Sequence, residues 1–425
     1  MTEPLNQQSA TGIVRAIAAG ETTAEAVTRA CLDRIEARDG AVKAWAYIDP
    51  ENALAQAQAL DSAPVKGPLH GVPIGIKDVL DTADMPTEMG SPIYAGHRPP
   101  ADAASVAMLR AAGAVILGKT VTCEFAGMHP GATTNPHDST RTPGGSSSGS
   151  AAAVADFQVH GALGTQTGGS VLRPASFCGI VGYKPTYNII NRAGLMFAAE
   201  NLDTIGFMGR SISDVDAIAA AILNRPTVTP SAESKPRIGF CRTQLWETAQ
   251  PETVDAIEDS AERLAAAGAQ IIPIEMPSTF EALAAMRNRI NDYERSRVLG
   301  YHWQHNRAKI SDGLAKQIEN GTSMAYGEYN EAITLAAESR QQIDAVFDEV
   351  DVLLAPAVAG EAPVGLEKTG DPRFQGYWTI LHVPTITLPT HKGPNGMPVG
   401  IQLVGPRWED TQLLSIASWV ESILE

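Results

Sequence analysis

At 425 residues, with 44% apolar and 19% charged residues, the chain carries an ordinary globular core. It is long enough for two or three domains or for one large α/β body. A formal net charge of −16 sets it against phosphate backbones and anionic lipids, so nucleic acid and membranes are not expected partners. The four cysteines (Cys31, Cys123, Cys178, Cys241) form no CxxC pair and have no histidine at metal-ligand spacing. That argues against a zinc site or disulfide scaffold and fits a reducing compartment. The first twenty residues lack a basic stretch followed by an apolar core, and no apolar run is long enough to span a bilayer, so the cytoplasm is the expected location.

In chain order, Thr22 and Glu25 form a capping box ahead of an amphipathic helix over 22–38, with Val27, Cys31 and Ile35 at helical spacing. Residues 51–60 read as a second helix. A Gly/Pro-punctuated entry at 67–73 leads into a short apolar strand that carries Lys77. The usual fate of a lysine in such a run is to pack its stem and reach water with its amine. Residues 103–112 predict a helix, Gly113 its stop, and 114–117 a strand. The stretch 142–174 holds two Gly/Ser knots, at 144–150 and 168–170, joined by an Ala-rich apolar segment. Residues 177–184 form another apolar run and 213–223 a helix. The Pro/Ser/Thr-rich stretch 225–235 reads as a surface connection and a candidate boundary between halves. Beyond it come a strand (237–240), a helix (252–267) with Val254, Ile257, Ala261 and Leu264 on one face, and a strand (271–274). Long helices follow at 279–300 and 326–350, then strands at 350–354, 384–389 and 399–404, and a closing helix at 410–424. This alternation predicts the α/β class, a layered α/β/α sandwich with helices on both faces of a large, mostly buried central sheet.

Two familiar patterns fail on context. Gly113–Thr120 matches GxxxxGK[ST], but a helix precedes it and its middle residues, Ala-Val-Ile-Leu, belong in a strand and cannot wrap a phosphate. Gly145–Gly149 matches GxSxG around Ser147, but Arg-Thr-Pro-Gly before it is no strand. None of His302, His305, His382 and His391 stands in a context that marks it as a base.

Three odd features remain: Lys77 in its apolar run, Ser146 in the first knot and Ser170 in the second. Gly71-Val-Pro-Ile-Gly-Ile-Lys77-Asp78, Pro143-Gly-Gly-Ser146-Ser147-Ser-Gly-Ser-Ala-Ala-Ala and Gly164-Thr-Gln-Thr-Gly-Gly-Ser170 together resemble the amidase signature family, including the 24-residue step from Ser146 to Ser170. The likeness extends through 118–126, 182–186, 202–206 and 396–406, covers roughly 20–420, and is weakest over 280–350. It implies one amidase domain over 1–425, with a helical part at about 1–62, a signature core at about 63–224 and a more variable part at about 236–425.

The chemistry fits independently. Amide hydrolysis needs a nucleophile, a base, an acid for the leaving amine, and donors for the oxyanion. A lysine serves as base near neutrality only if burial pulls its pKa down several units from roughly 10.4. The resemblance implies that Ser170 is the nucleophile, that Ser146, after a cis peptide bond, relays its proton, and that Lys77 is the base. It further implies an oxyanion hole made by the backbone amides of Thr167, Gly168, Gly169 and Ser170, and no cofactor or metal. Ser147 is a candidate support for Lys77.

Arg173 stands three residues after Ser170, where many family members have an arginine at two. This variant, with Thr165-Gln-Thr167, resembles malonamidase-type members, in which the matching arginine binds the substrate carboxylate. The alternative fate for Arg173 is structural, paired to backbone carbonyls or a buried acid. The expected substrate is a small-molecule amide, with esters and carbamates also open, as is a homodimer. The family also implies a second role, the amidase component of a glutamine-dependent, tRNA-linked amidotransferase. The aromatics Tyr293, Tyr301, Trp303, Tyr377 and Trp378 are expected either to line a substrate pocket or, more commonly, to pack in the core.

Overall fold

A computed structural model describes residues 3–228 and 235–425. Eleven strands join in one mixed sheet. In chain order they are β1 (Trp45–Ile48), β2 (Pro73–Lys77), β3 (Val115–Thr120), β4 (Gly161–Gln166), β5 (Val181–Lys184), β6 (Thr204–Gly209), β7 (Arg237–Cys241), β8 (Gln270–Ile274), β9 (Val352–Pro356), β10 (Thr385–Lys392) and β11 (Pro398–Val404). Their spatial order is β1-β3-β2-β4-β6-β5-β10-β11-β9-β7-β8. The expected boundary at 225–235 falls partly outside the described residues, yet strands from both sides of it share this sheet through the antiparallel pairing of β10 with β5.

The sheet is two-faced because successive side chains in a strand point to opposite sides. In β4, Ala162 packs into a cluster rich in alanine with Ala151, Ala152 and Ala153, while its neighbour Leu163 enters the larger cluster with Ile74, Ile76 and Ile218. Phe207 and Met208 of β6 divide in the same way. β2 and β4 are buried along their whole length, and β2 accordingly reads as a short apolar run rather than an alternating one. A third cluster forms where the helices Leu283–Val298, Tyr326–Val346 and Arg373–Ile380 pack on β9. Trp378 is fully buried there and Tyr377 nearly so, whereas Tyr301 is mostly exposed.

Several boundaries differ from expectation. The helix expected over 22–38 runs Ala24–Val42, after an unexpected helix Ala10–Ala18, and is capped by Thr23, whose hydroxyl accepts from the Ala26 amide at 3.1 Å. The Thr22–Glu25 capping box does not form, because Asp61 takes the Ala24 and Glu25 amides. The strand expected at 114–117 continues through Gly118, Lys119 and Thr120. The run 177–184 divides at Gly179, whose positive φ ends the helix Leu172–Cys178 before β5 begins. The helix expected at 279–300 begins as a 3₁₀ turn, Ser278–Ala282.

The closing helix Asp410–Leu424 is tied to the signature core by its first residue. Buried Asp410 accepts from Tyr183 Oη at 2.5 Å, from the Thr186 amide at 2.8 Å and from Thr186 Oγ1 at 2.6 Å. Asp410→Ala leaves these buried donors unpaired, and is expected to cost about 3–5 kcal/mol of stability, read as a lowered urea midpoint with unchanged m-value.

Candidate active site

The parallel pairing of β2 with β4 decides which residues meet. Ile76 lies opposite Leu163, so both strands end at the same edge, with Lys77 at the end of one and Thr165–Gln166 at the end of the other. Ligand sites of α/β sheets lie at the carboxyl ends of their strands. The chain leaves β4 directly into Thr167–Ser170 and then the helix Leu172–Cys178, while the first knot opens the helix Ser148–Ala155 beside it.

Lys77 is fully buried. Its Nζ donates to Ser146 Oγ at 2.8 Å and to Thr165 Oγ1 at 2.7 Å. Burial lowers its pKa to about 7. Lys184 makes an instructive contrast. It too is buried with a pKa lowered to about 7, but among the described residues its amine donates only to the carbonyls of Pro185 and Val383. A carbonyl can accept a hydrogen bond but cannot relay the proton, so burial alone makes no base. The Gly145–Ser146 peptide bond is cis, as the family resemblance implies.

Ser147 supports the site one step away from where it was expected. Its hydroxyl donates to the Thr165 carbonyl and accepts from the Thr165 amide, both at 3.2 Å, so it fixes the backbone whose side chain holds Lys77. Its own amide donates to the Ser170 carbonyl at 3.3 Å, joining the two knots. Ser170, at 9% exposure against 0% and 1% for Lys77 and Ser146, is the member of the three that reaches the cavity. Among the described residues its hydroxyl has no partner in the chain. Contacts of this kind commonly tighten only with substrate in place.

The turn after β4 is braced from three sides, by Asp203, Thr379 and Gln166. Thr167 Oγ1 donates to buried Asp203, which also accepts from the amides of Ala198 and Ala199. Thr379 Oγ1 donates to the Gly168 carbonyl at 2.7 Å. Gln166 Oε1 takes the amides of Val171 and Leu172 at 3.0 and 3.1 Å. With carbonyls and side chains so engaged, the amide groups of Thr167, Gly168, Gly169 and Ser170 donate to nothing in the described chain. Gln166 and Thr165 lay inside a motif already in view. Thr379 lies over two hundred residues away with no motif around it.

Ser170 opens into a chamber of about 460 Å³ lined by Arg173, Arg287, Asn291, Asp292, Arg295 and Lys316 among others. Arg173 is buried and makes three bonds: Nε to the Thr369 carbonyl at 2.7 Å, and Nη2 to the Gly145 carbonyl at 2.6 Å and to Thr369 Oγ1 at 3.1 Å. Its Nη1 is buried with no partner among the described residues. The five expected aromatics are absent from the lining, as is any histidine. The Gly113–Lys119 segment holds no phosphate-type loop: Lys119 is buried in β3 and bonded to Asp78 at 3.2 Å. No described helix is long and apolar enough to cross a membrane.

A buried lysine of near-neutral pKa, bonded to a serine beside a second, accessible serine and a turn of free amides, is the equipment of an amide C–N hydrolase. The amidase family model matches residues 26–414, and the chain belongs to the amidase signature family. It is similar to the A subunit of glutamyl-tRNA(Gln) amidotransferase from Oleidesulfovibrio alaskensis, with 35% identity over 97% of this chain and 96% of the relative. The corresponding protein of Chloroflexus aggregans is 34% identical over 96% and 95%. Among solved structures, an amidase superposes with a TM-score of 0.91 at 29% identity, covering 98% of this chain and all of the other. The peptide amidase of Stenotrophomonas maltophilia does so with 0.86 at 28%, covering 99% and 98%.

Proposed function

We propose that the chain is a free-standing amidase acting on a small amide that carries a carboxylate, with Ser170 as acyl carrier. In the first step neutral Lys77 draws the Ser146 proton while Ser146 draws that of Ser170. Ser170 Oγ then bonds to the substrate carbonyl carbon, and the resulting oxyanion takes up the free amides of Thr167–Ser170. The Lys77 ammonium returns its proton through Ser146 to the leaving nitrogen as the C–N bond breaks. Water, deprotonated along the same path, cleaves the acyl ester and restores the Ser170 hydroxyl. Esters and carbamates are open to the same steps.

The observation that carries the substrate class is the unpartnered Nη1 of Arg173, buried on the chamber wall within reach of Gly169. Burial lowers the pKa of Arg173 to about 10, so at neutral pH it is a cation. A buried donor of a guanidinium is costly to leave unmade, and a carboxylate is its natural complement. The other two nitrogens serve the scaffold, the structural one of its two expected fates, and leave Nη1 for the proposed carboxylate. Arg173→Met is expected to lower kcat/KM for succinamate about 10–100-fold more than for butyramide. An equal loss on both would assign the arginine to the scaffold alone.

The relatives favour a second reading. The amidotransferase proteins match nearly end to end at 34–35% identity, which supports a role as the amidase component of a glutamine-dependent amidotransferase. Glutamine carries an ammonium as well as a carboxylate, and Asp292 is the single acid on the chamber wall. Turnover of succinamate by the purified chain alone supports the free amidase. Glutaminase activity that depends on added partner proteins supports the amidotransferase component.

A further inference from the structure

The wall facing Ser170 is built by the helices Leu283–Val298 and Asp312–Ser323, in the stretch where the sequence resembles its family least. Along the first, Arg287, Asn291 and Arg295 recur every four residues and so share one face, and all three line the chamber. Arg295 is buried, donates to the Phe125 carbonyl at 3.0 Å and to Asn291 Oδ1 at 3.4 Å, and has no partner for its Nε among the described residues. Arg287 donates to Asn288 Oδ1. Its guanidinium lies between two glycines: a Cβ on Gly168 would stand 2.9 Å from Nη1, and one on Gly376 would stand 2.9 Å from Nε. Glycine at both places makes the slot, and the slot sets the cation against the turn that follows β4.

Arg173, Arg287 and Arg295 thus bond only to neutral groups, and none of them belongs to an ion pair among the described residues. The one acid on the wall, Asp292, is already engaged by the amide nitrogens of Asn291 and Asn320 at 2.9 and 3.2 Å. Carboxylates act on these arginines only from beyond salt-bridge distance, Asp371 on Arg173 and Arg287, Asp203 and Glu124 on Arg295, and the chamber lining itself sets Arg173, Arg287, Arg295 and Lys316 against Asp292, a local excess of positive charge suited to an anionic ligand. The two cations reach the turn at separate points, Arg287 at Gly168 and Arg173 at Gly169.

We infer that Arg287 is a specificity-determining residue that binds a second anionic group, backed by Arg295, so that the amide this chamber takes is a dianion with two carboxylates. The inference rests on the anionic-amide reading above and adds the second charge and its anchor. Its test is binding to the full chain carrying Ser170→Ala, measured by calorimetry, with N-succinylglycine against N-butyrylglycine and against N-propylsuccinamate. These pairs remove one carboxylate from the acyl side or from the amine side. N-succinylglycine is expected to bind at least about tenfold more tightly than one of the two monoanions. In Arg287→Met that ratio is expected to fall to within about twofold, and Arg287→Lys is expected to restore part of it. Equal binding of all three amides, failure of all three to bind, or a preference that survives Arg287→Met would overturn the inference. Labelling of wild-type Ser170 by a fluorophosphonate is run alongside. Labelling without a dianion preference removes the second anion site alone, and absence of labelling removes the amidase reading itself.

Discussion

Ser170→Ala is expected to lower kcat on any amide the chain hydrolyses by about 10⁶-fold, the loss typical when the nucleophile of an acyl-enzyme mechanism is removed. The same variant should lose all covalent labelling by fluorophosphonate, read as the absence of the mass increment. Its urea midpoint should stay at the wild-type value, because the deleted hydroxyl has no partner in the described chain and sits at the chamber wall. The neighbouring serines are less suited to carry the acyl group, because each is already engaged. Ser146 is 1% exposed and bound to the Lys77 amine, and Ser147 is fully buried with its hydroxyl on the Thr165 backbone. Turnover by Ser170→Ala within a hundredfold of wild type, or labelling that moves to Ser147, would remove Ser170 from the centre of the mechanism.

How much of this was legible beforehand depended on whether the information was local. Lys77, Ser146 and Ser170 each stood out because the residue disagreed with its surroundings: a cation in an apolar run, and serines in glycine knots. The central strands β2 and β3 were legible as short apolar runs. β4 was not, because Gly161-Ala-Leu-Gly-Thr-Gln has few β-branched residues and is held as a strand by burial between β2 and β6 rather than by propensity. The helices Ser148–Ala155 and Leu172–Cys178 were hidden for a related reason. Both are buried around their circumference, so neither shows an amphipathic period. The bracing residues Asp203, Thr369 and Thr379 meet the site only through the tertiary fold, and the arginines of 283–298 follow a helical period whose meaning needs the chamber on the other side. Ser147 shows the limit of motif reading: its neighbourhood was right, but its partner is the Thr165 backbone rather than the lysine.

Lys77→Met should lower kcat/KM by about 10²–10⁴-fold, the usual worth of a positioned general base, and should flatten the pH profile. In the proposed mechanism the acting form of Lys77 is the neutral amine, and burial places its pKa at about 7. Wild-type kcat/KM is therefore expected to rise with pH through about 7, gaining about tenfold between pH 6 and pH 8. The variant's residual rate should lack this limb. Stability carries the same signature with a defined sign. Between about pH 7 and the unfolded-chain value of roughly 10.4, the unfolded chain holds a proton that the folded chain has released, so wild-type stability gains with rising pH across that window. Below pH 7 both forms hold the proton, and the folded chain bears the whole cost of a buried ammonium. Methionine also removes the bonds to Ser146 and Thr165, but that loss does not change with pH. The stability of wild type minus that of Lys77→Met should therefore shift in favour of wild type between pH 6 and pH 9.5, by an amount on the order of a few kcal/mol, measured by urea denaturation at both pH values. A difference that stays constant, together with a wild-type rate profile flat through pH 7, would mean that Lys77 keeps its proton in the folded enzyme and that the base lies elsewhere.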